Sequence, residues 1–310
     1  MTKNYVLISP CRNESEYMRE TLDSVVAQSV KPAKWIIVDD GSTDATPQIL
    51  SHYMQQYDWI SVVTLPDRGH RAVGPGVINA FYAGYETIRP KDYDYVCKLD
   101  LDLRLPPRYF ELLISKMEAN PRIGTCSGKA YIEHANGQLT PENHGDETSL
   151  GMTKFYRVSC FKEIGGFVRE VMWDGIDCHT CRMLGWIACS WDEPDLRFVH
   201  LRPMGSSQQN IYVGRMRHGY GQYFMGTGFL YMLASAFYRL KEKPVVLGSL
   251  AMMWGWLSSA LAGKPRYENP EFRQFLVEYQ KNALLHGKKK AIDDIHERFK
   301  LSTHAEGNSK

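Results

Sequence analysis

The chain has 310 residues, 44% of them hydrophobic and 23% charged, with a formal net charge of +2. That profile supports one large α/β domain, or one domain with a C-terminal extension, and excludes disorder over most of the length. The small charge gives no reason to expect a nucleic-acid partner.

A polar start leads into the apolar run Tyr5-Val6-Leu7-Ile8, which reads as a buried strand stopping at Ser9-Pro10. No charged segment followed by a long apolar one precedes it, so no signal peptide is expected, and the active site is expected in the cytoplasm. Residues 14–28 carry Tyr17, Met18, Leu22, Val25 and Val26 at the spacing of one helical face. Trp35 to Val38 is a second buried strand ending in Asp39-Asp40-Gly41-Ser42, and residues 43–57 read as a helix capped by Ser42 or Thr43. Residues 61–65 form a third strand, 74–88 a helix opened by Gly74-Pro75-Gly76, and 95–100 a fourth strand running into acids. This β-α alternation predicts a mostly parallel sheet with helices on both faces. Ligands then bind beyond the carboxyl ends of the strands, where residues 10–14, 39–42 and 100–102 are expected to gather. Further on, 124–132, 153–158 and 196–201 are strand candidates, and 161–167 and 177–185 are short helices. The seven cysteines are scattered and read as reduced structural thiols; Cys178 and Cys181 form a C-x-x-C pair with no second pair at zinc spacing.

Asp100-Leu101-Asp102 carries the clearest chemistry. Carboxylates at i and i+2 on a strand end face the same way and repel unless a cation sits between them. Mg²⁺ or Mn²⁺ takes such oxygens and keeps positions for substrate phosphates. The plain alternative is two solvated loop aspartates. In Asp39-Asp40-Gly41-Ser42, a carboxylate can accept hydrogen bonds from a base or ribose, while Gly41 permits the turn.

Taken together, Val6 to Pro10 with Arg12-Asn13-Glu14, Ser24 to Ser29, Ile37 to Asp44 and Lys98 to Asp102 resemble the family 2 glycosyltransferases of the GT-A fold. The resemblance is dense over residues 4–110 and patchier to about 205. It implies an inverting, nucleotide-sugar-dependent enzyme in which Pro10, Arg12, Glu14 and Asp40 line the nucleotide pocket, with Lys98 and Asp100 beside it. It also implies that Asp100 and Asp102 hold a diphosphate-bound metal. Such families place an acidic pair before a later helix. Here Trp173 and Asp174 fall at that pair, so one carboxylate is kept and Asp177 adds another. Asp174 is expected to be the base that takes the acceptor hydroxyl's proton, with Asp177 as rival; helix capping and a dipole interaction are the structural alternatives.

His200-Leu201-Arg202-Pro203-Met204-Gly205-Ser206 follows the last strand. His200 can complete the metal shell and Arg202 can bind phosphate, although a lone histidine is more often structural. The glycine-rich stretch 214–221, with Arg215, reads either as a lid over the donor or as a surface loop.

Residues 223–240 and 244–262 are strongly apolar, and Val245 to Ala262 holds no charge over 18 positions. Interfacial or re-entrant helices are expected there, ahead of a true span or a buried face. Trp254 and Trp256 suit a lipid–water boundary, and Lys288-Lys289-Lys290 suits anionic lipid. The expected organisation is a GT-A domain over 1–220 and a helical, membrane-associated region over 221–310, with a frayed basic tail. The expected reaction moves a sugar from a nucleoside-diphosphate donor to a hydroxyl of a glycan or lipid-linked acceptor, in exopolysaccharide or cell-envelope synthesis at the inner face of the membrane. A polyprenyl-phosphate glycosyltransferase and a non-catalytic nucleotide-sugar-binding regulator are the alternatives.

Overall fold

The structure, a computed structural model, describes residues 3–69, 74–142, 144–202, 210–242 and 244–307, with side chains through residue 300. Pro203 to Ser206, part of the motif after His200, lie outside the described residues. In chain order the elements are β1 (Tyr5–Cys11), α1 (Met18–Val26), β2 (Lys34–Asp39), α2 (Thr46–Gln56), β3 (Ile60–Thr64), α3 (Pro75–Tyr85), β4 (Tyr95–Leu99), β5 (Leu103–Arg104), α4 (Tyr109–Ala119), β6 (Ile123–Ser127), β7 (Lys129–Glu133), β8 (Leu139–Pro141), β9 (Thr153–Arg157), α5 (Val158–Glu163), α6 (Trp173–Met183), β10 (Ile187–Ser190), β11 (Arg197–His200), α7 (Ile211–Met225), α8 (Phe229–Tyr238), α9 (Leu247–Leu261), α10 (Pro270–His286) and α11 (Lys288–Gly307). They form two compact units: Met1–Glu170 with Trp186–Pro203, and Val171–Gly185 with Met204–Lys310.

The first unit carries the mostly parallel sheet expected from the β-α alternation. Seven strands run in the order β10-β6-β9-β4-β1-β2-β3. Strands β1, β2 and β4 are buried almost throughout, as apolar runs covered on both faces must be. β1 pairs in parallel with both neighbours, setting Cys11 opposite Asp39 and Ile8 opposite Lys98. This register brings the polar ends of three strands to one edge. β9 is antiparallel to β4 and β6, a direction that its apolar pattern alone does not encode. The single strand expected over 124–132 is two strands, broken at Gly128. A Cβ there would lie 1.8 Å from the Leu196 carbonyl oxygen, so only glycine lets the chain pass. After the break, β7 joins a second sheet, β5-β11-β7-β8. The core between sheet and helices is aromatic: Tyr5 and Phe110 ring centroids lie 4.9 Å apart, and Tyr95 stacks on Phe155 at 5.0 Å.

Helix α2 begins three residues later than its apolar spacing suggests. Neither Ser42 nor Thr43 caps it. Asp44 accepts from the Thr46 amide at 2.9 Å instead. Ser42 and Thr43 serve the loops: Asn13 donates its amide to Ser42 Oγ at 2.9 Å, and Thr43 donates its amide to Asn13 Oδ1 at 2.8 Å.

In the second unit, α6 packs on α10, and α7 packs on α9. Residues 214–221, read from their glycines as a lid or surface loop, lie inside helix α7. The glycines there permit close approach: a Cβ on Gly219 would lie 1.9 Å from the Met252 carbonyl oxygen, and one on Gly255 would lie 2.0 Å from that of Met216. The tail expected to fray from residue 287 is helix α11. The pairs Lys289–Asp293 at 2.6 Å and Lys290–Asp294 at 2.5 Å support it at i,i+4 spacing. Helix α9 has two apolar faces. Gly248, Ser249, Met252, Gly255, Trp256 and Ser259 are buried, while Leu247, Leu250, Trp254, Leu257 and Leu261 are exposed. Among the described residues, no helix is long and apolar enough to cross a membrane.

Two outcomes follow from the α7–α9 contact. Gly255→Ala forces a methyl against backbone and is expected to cost about 1–3 kcal/mol, read as a lower denaturant midpoint. His218 on α7 is pushed down to about 4, first by burial and then by Arg239. A histidine depressed in the folded state stabilises fully above its unfolded value near 6.5, and that contribution is lost as pH falls towards 4. Unfolding titrations from pH 7 to 4 are therefore expected to show His218→Gln losing up to about 3 kcal/mol less than the parent chain. Parallel curves would contradict this.

Candidate active site

The ends of β1 and β2 make one wall of the site. Gly41 has φ +69°, and a Cβ on it would come within 2.4 Å of Asp67 Cα, so the turn after β2 needs glycine on both counts. Asp39 is spent on the turn, accepting from the Ser42 amide at 2.9 Å. Asp40 is held by the Arg68 guanidinium, with Nη1 donating to Oδ1 at 2.8 Å and Nη2 donating to Oδ2. Burial nevertheless raises the Asp40 carboxyl above its ordinary value, against the pull of Arg68. Arg12 is buried. It donates through Nη1 to the main-chain carbonyl of Asp40 and through Nη2 to the Asp67 carboxylate. Pro10 pairs with Val38 in the sheet just inside this edge.

The second wall comes from β4 and β11. Lys98, 3% exposed, donates to Asp100 Oδ1 at 2.5 Å and to the Gly151 carbonyl at 2.9 Å. Burial raises the Asp100 carboxyl, opposed by Lys98 and reinforced by the neighbouring Asp102 charge. Asp102 is 6% exposed. Burial works against its charge, but the His200 hydrogen bond and the Arg202 cation outweigh burial and hold it below the usual carboxylate range. Arg202 Nη2 donates to Asp102 Oδ2 at 2.7 Å and to Glu14 Oε1 at 3.2 Å. One guanidinium thus ties the ends of β1, β4 and β11 together.

His200 lies between two acids. Its Nε2 is 3.7 Å from Asp102 Oδ2, and its Nδ1 is 3.1 Å from Glu142 Oε2. Burial lowers its basicity, but the two carboxylates outweigh that and raise it to about 9. Sequence reasoning missed Glu142, which follows the three-residue strand β8 in a stretch without periodic signal. It also missed Asp67 and Arg68. These follow β3, so the strand-end logic used for the other three strands would have found them.

The donor set fits a divalent cation. Asp102 Oδ1 is buried and has no hydrogen-bond partner, which leaves a lone pair for a cation in a place closed to bulk water. Among the described residues, no three His, Cys, Asp or Glu side chains gather tightly enough to hold an ion by themselves. An ion here would take one or two protein ligands and draw the rest from phosphate and water, the usual habit of Mg²⁺.

The remaining candidates belong to the second unit. Asp174 is exposed in the first turn of α6, and its charge is felt by His218. Asp177 is 2% exposed, and its Oδ1 accepts from the Cys178 amide at 2.6 Å. Arg215, on α7, donates to Glu242 Oε2 at 3.2 Å.

Comparison with known proteins bears on this arrangement. Poly-β-1,6-N-acetyl-D-glucosamine synthase of Staphylococcus epidermidis is 30% identical over 129 residues, which are 42% of this chain and 29% of that protein. The match thus spans less than a third of the relative's length. Among solved structures, a Pyrobaculum calidifontis mannosyltransferase in complex with GDP-Man and Mn²⁺ superposes with a TM-score of 0.51 at 18% identity, covering 95% of this chain and 84% of that one. S. aureus TarS 1-349 in complex with UDP-GlcNAc superposes with a TM-score of 0.52 at 15% identity, covering 96% and 92%. At such identities the likeness concerns the fold, which is the GT-A arrangement. The model of glycosyl transferase family 2 matches residues 6–173, more than half of the chain, from the second residue of β1 to the first of α6, and the chain belongs to that family.

Proposed function

We propose that this chain is an inverting glycosyltransferase that moves one sugar from a nucleoside-diphosphate donor to a hydroxyl of a glycan or lipid-linked acceptor, in assembly of an exopolysaccharide or the cell envelope. The observation that carries the reading is Arg202 shared between Glu14 and Asp102, which joins the nucleotide-side and metal-side strand ends. Pro10, Arg12, Glu14 and Asp40 bind the nucleotide, with Lys98 and Asp100 beside it. Asp40 offers its carboxylate to base or ribose once Arg68 yields it. Asp100 and Asp102, with His200, hold a divalent cation, Mn²⁺ or Mg²⁺. When bound, that ion neutralises the charge that develops on the departing diphosphate. Arg202 contributes a guanidinium suited to phosphate oxygens at the same edge.

Asp174 is the base that accepts the acceptor hydroxyl's proton as it attacks the anomeric carbon. Its exposure in the first turn of α6 supports this role, whereas Asp177 is closed off and bonded to its own helix. Arg215 pairs with Glu242 within α7's surroundings, which supports a structural role over a phosphate-binding one.

The outer face of α9 supports the reading of a membrane surface as partner, with the catalytic region working at the inner face of the cell membrane. Leu247, Leu250, Trp254, Leu257 and Leu261 form one helical stripe, and Phe229, Leu230, Phe237 and Tyr238 on α8 are exposed as well. Lys241, Lys264 and Arg266, exposed near the ends of these helices, suit anionic headgroups.

Three experiments test these assignments. A thermal-shift screen with UDP-N-acetylglucosamine and GDP-mannose, with and without Mn²⁺, is expected to show metal-dependent stabilisation by one donor. The same donor should then support transfer that Asp102→Asn abolishes and that Asp174→Asn lowers at least about 100-fold in kcat with little change in donor KM. Near-normal turnover of Asp174→Asn would favour a phosphate acceptor, which needs no strong base. Sedimentation with vesicles containing anionic lipid is expected to recover the parent chain and to fail for Leu250→Glu/Trp254→Glu; equal recovery of both would remove the membrane from the reading.

A further inference from the structure

The chain of contacts Glu142–His200–Asp102 runs inward from the small sheet to the end of β4. Glu142 follows β8, the outer strand of that sheet, and β11, two strands away, ends in His200. Glu142 and His200 side chains are each 8% exposed, as is that of Asp102. A carboxylate this buried is costly to keep charged unless it meets a donor. The His200 ring provides one, with Nδ1 3.1 Å from Glu142 Oε2. With Nδ1 engaged by Glu142, Nε2 is the nitrogen left to take a metal ion in exchange for its proton, and here Nε2 faces Asp102, 3.7 Å from Oδ2. Asp102 also carries the buried Oδ1 that has no hydrogen-bond partner. The carboxylate that carries the unfilled oxygen is thus the one Nε2 faces through its other oxygen, and Glu142 stands on the far side of the ring.

We propose that Glu142 is a positioning residue: it fixes the tautomer and the plane of His200 so that Nε2, together with Asp102, presents a ready pair of ligands to the divalent cation. This rests on the reading that His200 is a metal ligand. A carboxylate behind a ligating histidine holds ring orientation and raises ligand basicity, and its loss weakens metal affinity by about 10- to 100-fold. The backbone supports the same geometry: Leu201 donates its amide to the Asp102 carbonyl at 2.9 Å, so the chain after β11 is pinned beside the chain after β4. Sequence alone gives no hint of the pairing, because Glu142 and His200 are 58 positions apart.

The test uses the full chain and Mn²⁺ alone, titrated by electron paramagnetic resonance, without donor or acceptor. Glu142→Ala is expected to weaken Mn²⁺ binding about 10- to 100-fold and to reduce the nitrogen modulation that a ligating imidazole imposes on the Mn²⁺ spin echo. Glu142→Gln keeps an acceptor oxygen of the same reach and is expected to recover most of the modulation. His200→Ala sets the reference. If it binds Mn²⁺ like the parent chain, and the parent shows no nitrogen modulation, His200 is not a ligand and the positioning role falls with it. If His200→Ala loses affinity but Glu142→Ala, with an unchanged unfolding midpoint, keeps both affinity and modulation, the ligand stands and Glu142's role is overturned.

Discussion

The first unit is organised around a crowd of carboxylates that must be neutralised at the carboxyl edge of one sheet. The parallel register of β1 against β2 and β4 brings Glu14, Asp40, Asp100 and Asp102 to that edge. Like charges gathered there raise one another's proton affinity, and Glu14, Asp40 and Asp102 are buried besides. Each is answered by a cation from a different segment: Arg68 for Asp40, Lys98 for Asp100, and Arg202 for both Asp102 and Glu14. Removing one partner of a buried pair costs about 3–5 kcal/mol, because the other charge is left without compensation. Cations and carboxylates at this edge are therefore committed to one another.

Acids with similar sequence settings nevertheless differ in their surroundings. Asp39 and Asp40 are adjacent at the end of one strand. Asp39 turns into its own loop and accepts from Ser42, whereas Asp40 turns outward to a guanidinium. Asp174 and Asp177 are separated by less than one helical turn. One is exposed in the first turn of α6, and the other is buried and bonded to the neighbouring amide. In both pairs, one acid accepts from a nearby main-chain amide, Asp39 from Ser42 and Asp177 from Cys178.

Much of this was legible in the sequence because it rested on short-range signals. The apolar runs at Tyr5–Ile8, Trp35–Val38 and Tyr95–Leu99 name buried strands, and the polar residues just beyond them gather at one sheet edge, as their alternation with helices predicts. What was illegible depends on contacts between distant segments. The direction of β9 is set by its neighbours. Glu142 enters the site through a strand of three residues, too short to show alternation. Gly128 splits an apolar stretch because the Leu196 carbonyl passes close by, and nothing near Gly128 in sequence announces it.

Glycines in 214–221 misled in a more instructive way. In isolation they lower helix propensity by about 1 kcal/mol each, which argues for a loop. In the fold, Gly219 and Gly255 lie at a reciprocal contact where each Cβ would strike the other helix's backbone oxygen. The propensity cost is offset by close backbone packing, which brings α7 and α9 nearer than larger side chains would allow. That contact also decides how α9 displays its apolar residues. Its small residues, with Met252 and Trp256, make the buried face, while Leu247, Leu250, Trp254, Leu257 and Leu261 are left on the outside. A helix built for burial alone would turn its bulk inward. Here glycine and serine take four of the six buried positions, and five large apolar side chains stay exposed.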